Sequence, residues 1–324
     1  MRAYDLQLTD PQTGKIVREW SSRTGGVFDP HALNVIFDVP VTVGGTPIHQ
    51  PVISLEGISI RDIGNAQNFA GTVDQTTAQI VGGTNLTLKA GMQAGLPLAN
   101  PRQFGLIVQG TVFQSWGNWI GTDMSLSFII VPSIYRYNHP GNIVFNWKTG
   151  QTLEQALNQT FSVAYPNTPV VYRISQNIVA TKNDLHYCPT FDALAQHVQN
   201  LTGASLAFNA NRITIYDNSL AAPLTEFAFT DFVGQPTWIN YDIIQVKTVM
   251  RGDIQVGDFV KFPQGFYSLP SFVTTQSAAL PSYAKYKSAI QGVFVVQQVR
   301  HVGNFRQPDG NDWVSIFNCA VLSP

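Results

Sequence analysis

Histidine and cysteine lie close together at one place in this sequence, the tripeptide His186-Tyr187-Cys188. The six histidines form no HExxH or HxH pattern, and the second cysteine, Cys319, is far along the chain. A structural zinc site takes about four ligands, and a cysteine nucleophile requires a base that the fold, not adjacency, brings to it. We therefore predict no metal site and interpret Cys188 as a small apolar residue beside a partly buried histidine. A Cys–His nucleophile is the alternative.

Carboxylates could supply acid–base chemistry, but their spacing does not favour it. The four glutamates are far from one another: Glu19, Glu56, Glu154 and Glu226. A glycosidase requires two carboxylates at a set separation, and aspartates such as Asp10, Asp309 and Asp312 lie in turn sequences, where aspartate bonds local backbone. The Asp309–Asp312 segment also lacks the final glutamate of an EF-hand calcium loop. The sequence predicts that the protein is not an enzyme, with a carboxylate pair formed only by folding as the alternative.

Glycine pairs such as Gly25-Gly26 and Gly82-Gly83 do not match a nucleotide-binding site. None has the GxxxxGK[ST] pattern, and none stands between a strand and a helix as GxGxxG. We interpret them as loop and hairpin glycines, and we predict no cofactor.

Charged residues make up 12% of the chain, against about 25% in average proteins. Because the centre of a protein–protein contact is depleted in charge, this composition favours a subunit of an assembly over an ordinary β-rich protein with a neutral polar surface. The net charge is −1 and lysine and arginine form no cluster. That pattern argues against sequence-independent binding to nucleic acid.

The sequence shows no targeting or membrane signal. The first ten residues, MRAYDLQLTD, contain no apolar segment of the secretory type. Apolar runs such as Leu126–Pro132 are far shorter than the ~20 residues that span a bilayer. Two distant cysteines favour a reducing compartment over a disulfide framework. We expect a soluble protein that is made in the cytoplasm.

Residues 1–137 show short apolar runs separated by glycine, proline and asparagine, which predicts an antiparallel sandwich or barrel. The predicted strands are Tyr4–Leu8, Leu33–Val43, Val52–Ile60, Thr84–Ala90, Gly105–Phe113 and Asp123–Val131.

Helical periodicity characterises residues 138–219. Thr152 and Gln155 have the capping-box pattern ahead of one helix. A second helix is predicted to begin after Thr190 and to end at Gly203. Two predicted strands complete this small α+β domain: Pro169–Ile174 and Ser205–Tyr216.

Strands return in residues 220–324. The candidates are Ile239–Val249, Phe259–Phe262, Gly292–Val302 and Trp313–Val321. The dipeptide Asp309-Gly310 is a strong turn signal and predicts a hairpin between the last two strands. The sequence therefore predicts a mainly β chain with an α+β insert, divided at 1–137, 138–219 and 220–324.

Four phrases of the last region form a recognisable set. They are Val249–Asp258 with its I-x-V-G-D turn, Phe262-Pro263 at the end of the next strand, Gln291–Asn304 with the pattern G-x-F-x-V-x-x-V-x-H-x-G, and the W-x-T-x-F-like strand Trp313–Phe317. This set resembles the barrel domain of phage contractile-tail baseplate hub proteins, a family related to the upper part of type VI secretion spike proteins. Ser315 stands where such sequences usually have threonine, and Asn304 stands where aspartate is more usual.

The first region carries a second set of phrases. They are Phe69–Gly71, Leu86–Gly91, Gly105–Gly110 and Trp119–Asp123, in the pattern of an apolar strand, then L-x-A-G, then I-x-x-G-x-V, then a G-T-D corner. This set is similar to the other barrel of the same hub proteins, so the resemblance extends to both strand-rich regions.

The resemblance implies two tube-like antiparallel β-barrels flanking the small α+β domain, and a function in assembly. Three copies would form a pseudo-sixfold ring that joins the tail tube to the central spike in the virion baseplate. The implied partners are further copies of the chain and the tail tube, spike, baseplate wedge and tape measure proteins. DNA would pass through the lumen without specific binding. The residues expected at turns and strand ends are Gly121, Thr122, Asp123, Gly257, Asp258, His301, Gly303, Asp309 and Gly310.

Two other functions stay open at this point. A hexameric protein at the tube end, or a distal-tail protein, would use the same barrel physics. A carbohydrate-binding or carbohydrate-acting β-protein of the tail tip would need several coplanar exposed tryptophans, or two carboxylates facing a cleft.

Overall fold

The computed structural model describes residues 1–42, 51–76, 80–92, 103–131, 142–166, 168–209, 212–217, 219, 224–240, 242–263, 274–275 and 292–322. Within them the chain is mainly β, with a small α+β insert, and the fold class predicted from the sequence is confirmed. The predicted boundary at 137/138 lies outside the described residues, and the boundary at 219/220 adjoins the undescribed segment 220–223. The division into three domains therefore stays a prediction.

The first region supplies eleven strands in its described residues: β1 Arg2–Thr9, β2 Ile16–Ser21, β3 Arg23–Thr24, β4 Val27–Phe28, β5 Asn34–Val41, β6 Val52–Glu56, β7 Gly71–Val73, β8 Ile80–Gly82, β9 Asn85–Met92, β10 Gly105–Ile120 and β11 Asp123–Val131. Strand β5 shows why they form: Val35, Phe37, Val39 and Val41 are buried and alternate with less buried residues, as a half-buried strand requires. A short helix, α1 (Ile60–Gly64), and a 3-10 turn, Ala66–Phe69, follow β6.

The predicted strand Val52–Ile60 is wrong beyond Glu56. Gly57 has a φ of +80°, which breaks the extended backbone. Ser59 then accepts a hydrogen bond from the Asp62 amide and caps α1. The alternation that suggested a longer strand belongs to a turn and a helix start.

Where the structure describes it, the insert consists of five strands and two helices: β12 Ile143–Trp147, α2 Leu153–Ala164, β13 Val170–Arg173, β14 Asp184–Cys188, α3 Phe191–Thr202, β15 Ser205–Asn209 and β16 Arg212–Tyr216. Both helix starts are as predicted, because Thr152 and Gln155 form the reciprocal capping box and Thr190 accepts the Ala193 amide. Gly203, with φ of +76°, ends α3. The predicted single strand Ser205–Tyr216 is instead the β15–β16 hairpin.

The last region contains the remaining described strands: β17 Leu224–Glu226, β18 Thr237–Trp238, β19 Ile243–Val249, β20 Phe259–Lys261, β21 Thr274–Thr275, β22 Val293–Asn304 and β23 Trp313–Val321. The described residues of this region also form two 3-10 turns, Phe229–Asp231 and Gly310–Asp312. The predicted strand Ile239–Val249 begins later, at Ile243.

One sheet connects the two strand-rich regions. Its main path in the described residues is β2-β1-β9-β10-β11-β6-β5-β22-β23-β19-β18-β21, with β20 and β17 branching from β22. Strand β5 of the first region pairs antiparallel with β22 of the last, from Ile36 opposite Asn304 to Val41 opposite Val299. A single apolar core extends through both regions, whereas most of the insert's buried residues form a second core of their own.

Candidate functional site: the β junction and the exposed faces

The two strand-rich regions meet at a contact that we call the β junction, where Gly105 and Gly252 lie backbone to backbone. A Cβ atom on Gly105 would lie 2.5 Å from the Gly252 carbonyl oxygen, and one on Gly252 would lie 2.5 Å from the Gly105 carbonyl carbon. The Gly252 amide donates to the Gln103 carbonyl at 2.9 Å. Only glycine fits this approach, because any side chain at either position would collide with fixed backbone.

A buried ionic network lies beside this contact. Arg251 donates to both carboxylate oxygens of Asp253, at 2.8 and 2.7 Å, and to Asp231 at 3.1 Å. Asp231 also accepts a hydrogen bond from the Gln103 side chain of the first region, at 2.9 Å. Burial alone would lower the pKa of Arg251, but its bonds with Asp253 raise it overall. Through these charge-assisted bonds, the network joins Gln103, which shortly precedes β10, to the last region.

His301 belongs to the same buried layer. Its Nδ1 lies 2.8 Å from the Ser315 hydroxyl, which also accepts the Arg251 amide at 2.9 Å. The side chain is 1% exposed, and burial lowers its pKa to about 3. His301 is therefore a neutral structural histidine within β22, opposite Ser315 of β23, and not at the strand end.

Three further contacts join the regions. The Trp313 indole donates to the Gly91 carbonyl at 3.0 Å. Gly303 lies under the Phe37 ring, where a Cβ atom would come within 2.3 Å. Arg2 of β1 donates to the carbonyl of Asn304, the last residue of β22, at 2.7 Å, and to the carbonyls of Gln307 and Asp309 in the loop that follows. The first strand and the last hairpin thus hold each other in place.

We call the two strand-rich regions together the β unit. The insert contacts the β unit at the predicted Gly257–Asp258 turn. Gly257 has a φ of +85°, and a Cβ atom there would lie 2.6 Å from the Tyr216 ring. The Asp258 carboxylate accepts the Gln255 amide at 2.7 Å and forms an ion pair with Arg173 of β13. This turn is tight for two reasons, its backbone conformation and the ring packed on it.

The other predicted turn residues lie at hairpin ends. Gly121, with φ of +63°, and Thr122 form the two-residue turn between β10 and β11, and Asp123 is the first residue of β11. Asp309 caps the short 3-10 turn that begins at Gly310, and its carboxylate accepts the Asn311 amide at 2.8 Å. Gly310 does not adopt positive φ, so Asp309-Gly310 is a helical cap and not a two-residue hairpin turn.

The β10–β11 hairpin carries an exposed apolar face near its end. Trp116, Asn118 and Ile120 alternate along β10, and Asp123 lies opposite Ile120 on the same face. All four residues are exposed, and Ile120 is 67% exposed. Asp123 is the only charged residue between positions 103 and 131. We call these four residues the hairpin face.

A second exposed face lies on the insert. Strands β12 and β14 pair so that Val144 stands opposite Tyr187 and Asn146 opposite Leu185. These four side chains share one face of the ribbon and are exposed, with Tyr187 at 63%, whereas the other face contributes Ile143, Phe145 and Cys188 to the insert core. We call the four residues the ribbon face. Neither strand of the ribbon was predicted from the sequence.

The tryptophans of the hairpin do not form a sugar-binding platform. Trp116 and Trp119 are an odd number of residues apart in a stretch of regular pairing, so they lie on opposite faces. The Trp119 indole donates to the Gly121 carbonyl at 2.8 Å. The hairpin therefore does not present two coplanar rings.

The His186–Cys188 segment shows no catalytic arrangement. Cys188 is buried, and burial followed by the charge of Asp184 raises the pKa of its thiol. His186 is exposed, not partly buried as predicted, and stacks on His197 with 3.8 Å between the ring centroids. His197 lies 2.7 Å from Asp184. Among the described residues no group of three or more His, Cys, Asp and Glu side chains could hold a metal ion, and no helix is long and apolar enough to cross a membrane.

Comparisons with known proteins gave matches to solved structures. No protein-family model matches the chain, and no curated protein matches it. A component of the E. coli type VI secretion system, the c3393 protein, described as structurally similar to the T4 bacteriophage tail proteins gp27 and gp5, is 9% identical. That match covers 90% of this chain and 74% of that one, with a TM-score of 0.48.

Two prophage or tail proteins match over nearly the full length. The 43 kDa tail protein of prophage MuSo2 from Shewanella oneidensis is 9% identical and covers 99% of this chain and 98% of its own, with a TM-score of 0.48. A tail protein from Neisseria meningitidis MC58 is 10% identical and covers 98% and 96%, with a TM-score of 0.46. The chain is similar in structure to these tail proteins.

Proposed function

We propose that this chain is a structural subunit of a phage tail baseplate, the hub that joins the tail tube to the central spike as a homotrimer. One observation carries the proposal: residues from both sets of hub-like phrases meet at the β junction. Gly91 of the L-x-A-G phrase accepts the indole hydrogen bond of Trp313, which opens the last phrase. Residues of the phrases that resemble hub proteins therefore take part in the contacts that join the two regions.

A ring with pseudo-sixfold symmetry built from three copies requires each copy to present two strand-built modules in a fixed relation. The β5–β22 pairing, the shared core and the Arg251 network supply that rigidity, because separating the regions would expose apolar surface and leave buried charges without partners. The two regions act as one body in this proposal. In the assembled ring, each of the two regions would form a tube-like barrel.

The composition fits a subunit whose surface is covered in an assembly. The chain has 12% charged residues and a net charge of −1. Few charged side chains would therefore be buried at contacts with its own copies or with tube, spike, wedge and tape measure proteins. A lumen lined by such a surface would let DNA pass without specific binding. The protein would then function through its interfaces and not through catalysis.

The test is the mass of the purified full-length chain and of its complex with tail proteins. Sedimentation equilibrium or native mass spectrometry is expected to give three chains of 35.6 kDa each. A cryo-EM map of the assembled tail should then show three copies around the axis. Six copies would favour a tube-end or distal-tail protein instead. A stable monomer that associates with no tail component would contradict the proposal.

A further inference from the structure

We infer that the hairpin face of one copy packs on the ribbon face of a second copy, and that this contact closes the ring. The inference rests on the proposed trimer and names the surfaces that would form it. The ribbon face lies on the two-stranded β12–β14 segment, and the hairpin face lies toward the end of β10 and β11, where β11 also pairs with β6 as far as Ser125. Both faces are exposed in the single chain, so neither covers the other.

Symmetry requires two different faces. A contact between identical faces joins two copies and then stops, whereas a ring of three needs one face that fits a different face on the next copy. The hairpin belongs to the first strand-rich region and the ribbon belongs to the insert, so each chain offers both halves of such a contact. Three identical contacts would then use every face once.

The two faces match in polarity. Each presents large apolar side chains with one asparagine: Trp116 and Ile120 with Asn118 on the hairpin, and Leu185 and Tyr187 with Asn146 on the ribbon. Two-stranded segments can pack face to face as sheets do, at about 10 Å. The buried centre of the contact would be aromatic and aliphatic, which is typical of the residues that dominate binding energy.

The charges at the ends of the two faces are complementary. Asp123 closes the hairpin face, and the exposed Lys148 directly follows Trp147, the last residue of β12. Both are exposed, and neither has an ion-pair partner within the described part of the chain. The exposed Glu56 stands opposite Ser125 and adds a second carboxylate beside the hairpin face. Opposite charges at the rim favour the contact between different faces and oppose hairpin-to-hairpin pairing, which would bring carboxylates together.

A charge swap tests the contact. Asp123→Lys and Lys148→Asp are each expected to raise the dissociation constant of the trimer at least tenfold, and the Asp123→Lys/Lys148→Asp double variant is expected to restore most of the loss. Sedimentation equilibrium at low salt measures all four proteins. Lys15→Asp, an exposed site in the β1–β2 turn, is the control for a charge change elsewhere and should leave the constant unchanged.

Disulfide trapping gives an independent reading. The two native cysteines are buried, so we expect disulfides between copies to form only through the introduced cysteines. Under mild oxidation, in which two thiols lose two protons and two electrons to added oxidised glutathione, Ile120→Cys/Leu185→Cys should yield covalent species up to a trimer. Each single variant should stay monomeric under denaturing electrophoresis.

The outcomes separate the two hypotheses. A wild-type trimer whose constant is unmoved by the swaps, or a covalent dimer from Ile120→Cys alone, would overturn this contact and leave the proposed hub intact. Swaps that weaken binding of tube or spike protein while the trimer persists would also overturn it, by assigning the faces to another partner. A wild-type chain that is monomeric at all concentrations would contradict the proposed function itself.

Discussion

The two strand-rich regions are joined to each other and to the insert by different kinds of contact. Between the strand-rich regions lie a strand pairing, one continuous core, a glycine–glycine approach and buried ions. The insert has a core of its own and meets the β unit at the Gly257–Asp258 turn, through Tyr216 and Arg173. We therefore expect the strand-rich regions to unfold as one unit and the insert to respond separately.

The largest effect is expected from Arg251→Met. The substitution keeps the approximate volume but leaves Asp231 and Asp253 without their cation in a buried site, which should lower the free energy of unfolding by about 4 kcal/mol. Urea unfolding followed by tryptophan fluorescence measures it. The control is Arg300→Met, which removes a pair with Asp38 whose side chains are about half exposed and should change stability by less than about 1 kcal/mol. Equal effects of the two variants would show that the network does not hold the regions together.

The glycine approach gives the next effect. Gly105→Ala places a methyl group 2.5 Å from the Gly252 carbonyl, and relieving that clash requires the backbone of one region to move. We expect a loss of about 3 kcal/mol in the free energy of unfolding. Gly310→Ala is the matched control, because a Cβ there meets nothing within 4 Å and the backbone does not have positive φ. If Gly105→Ala unfolds like wild type, the two regions do not approach each other as described.

Local signals predicted much of the fold, whereas the junction lay beyond them. Neighbouring residues are enough to predict the capping box at Thr152, the cap at Thr190 and the helix end at Gly203. The structure confirms both helices. The ion network could not be predicted, because Gln103 and Asp231 are 128 positions apart. The local role of Asp231, which accepts the Ala228 amide, does not reveal its distant partners. A sequence can reveal what a residue does to its own turn, but not which distant strand it meets.

The strands β12 and β14 show a second reason for failure. Each is five residues long, and His186 and Asp184 interrupt the apolar pattern that would mark β14 as a strand. The pairing that places Tyr187 opposite Val144 is therefore visible only after folding. Turn residues were easier to find, although Asp309-Gly310 took a capping role that the hairpin signal did not predict.

The buried histidine of the junction predicts a pH dependence. The pKa of His301 is about 3 in the folded chain against 6.5 when exposed, so the unfolded chain binds the proton first as pH falls. Its contribution is fully present above pH 6.5 and decreases as pH falls toward 3, by about 2 kcal/mol at pH 5. Urea midpoints at pH 8 and pH 5 measure the difference. His301→Gln should be less stable at pH 8 but lose less on acidification.

The control for that measurement is His31→Gln, which removes an exposed histidine and should keep the wild-type difference between pH 8 and pH 5. If His301→Gln retains the full wild-type loss at pH 5, another group is responsible. The junction would then not be the acid-sensitive part of the molecule.

The smallest effect tests whether the insert responds on its own. Thr190→Ala removes the side-chain acceptor of the Ala193 amide at the start of α3 and should destabilise the insert by about 1 kcal/mol. Amide hydrogen exchange of the full-length chain should therefore become about fivefold faster in α3 and β14. Exchange in β22 and β23 should not change, because those strands belong to the other core. If exchange in β22 and β23 increases by the same factor, the insert and the β unit open together, and the distinction between a locked junction and a separately stabilised insert fails.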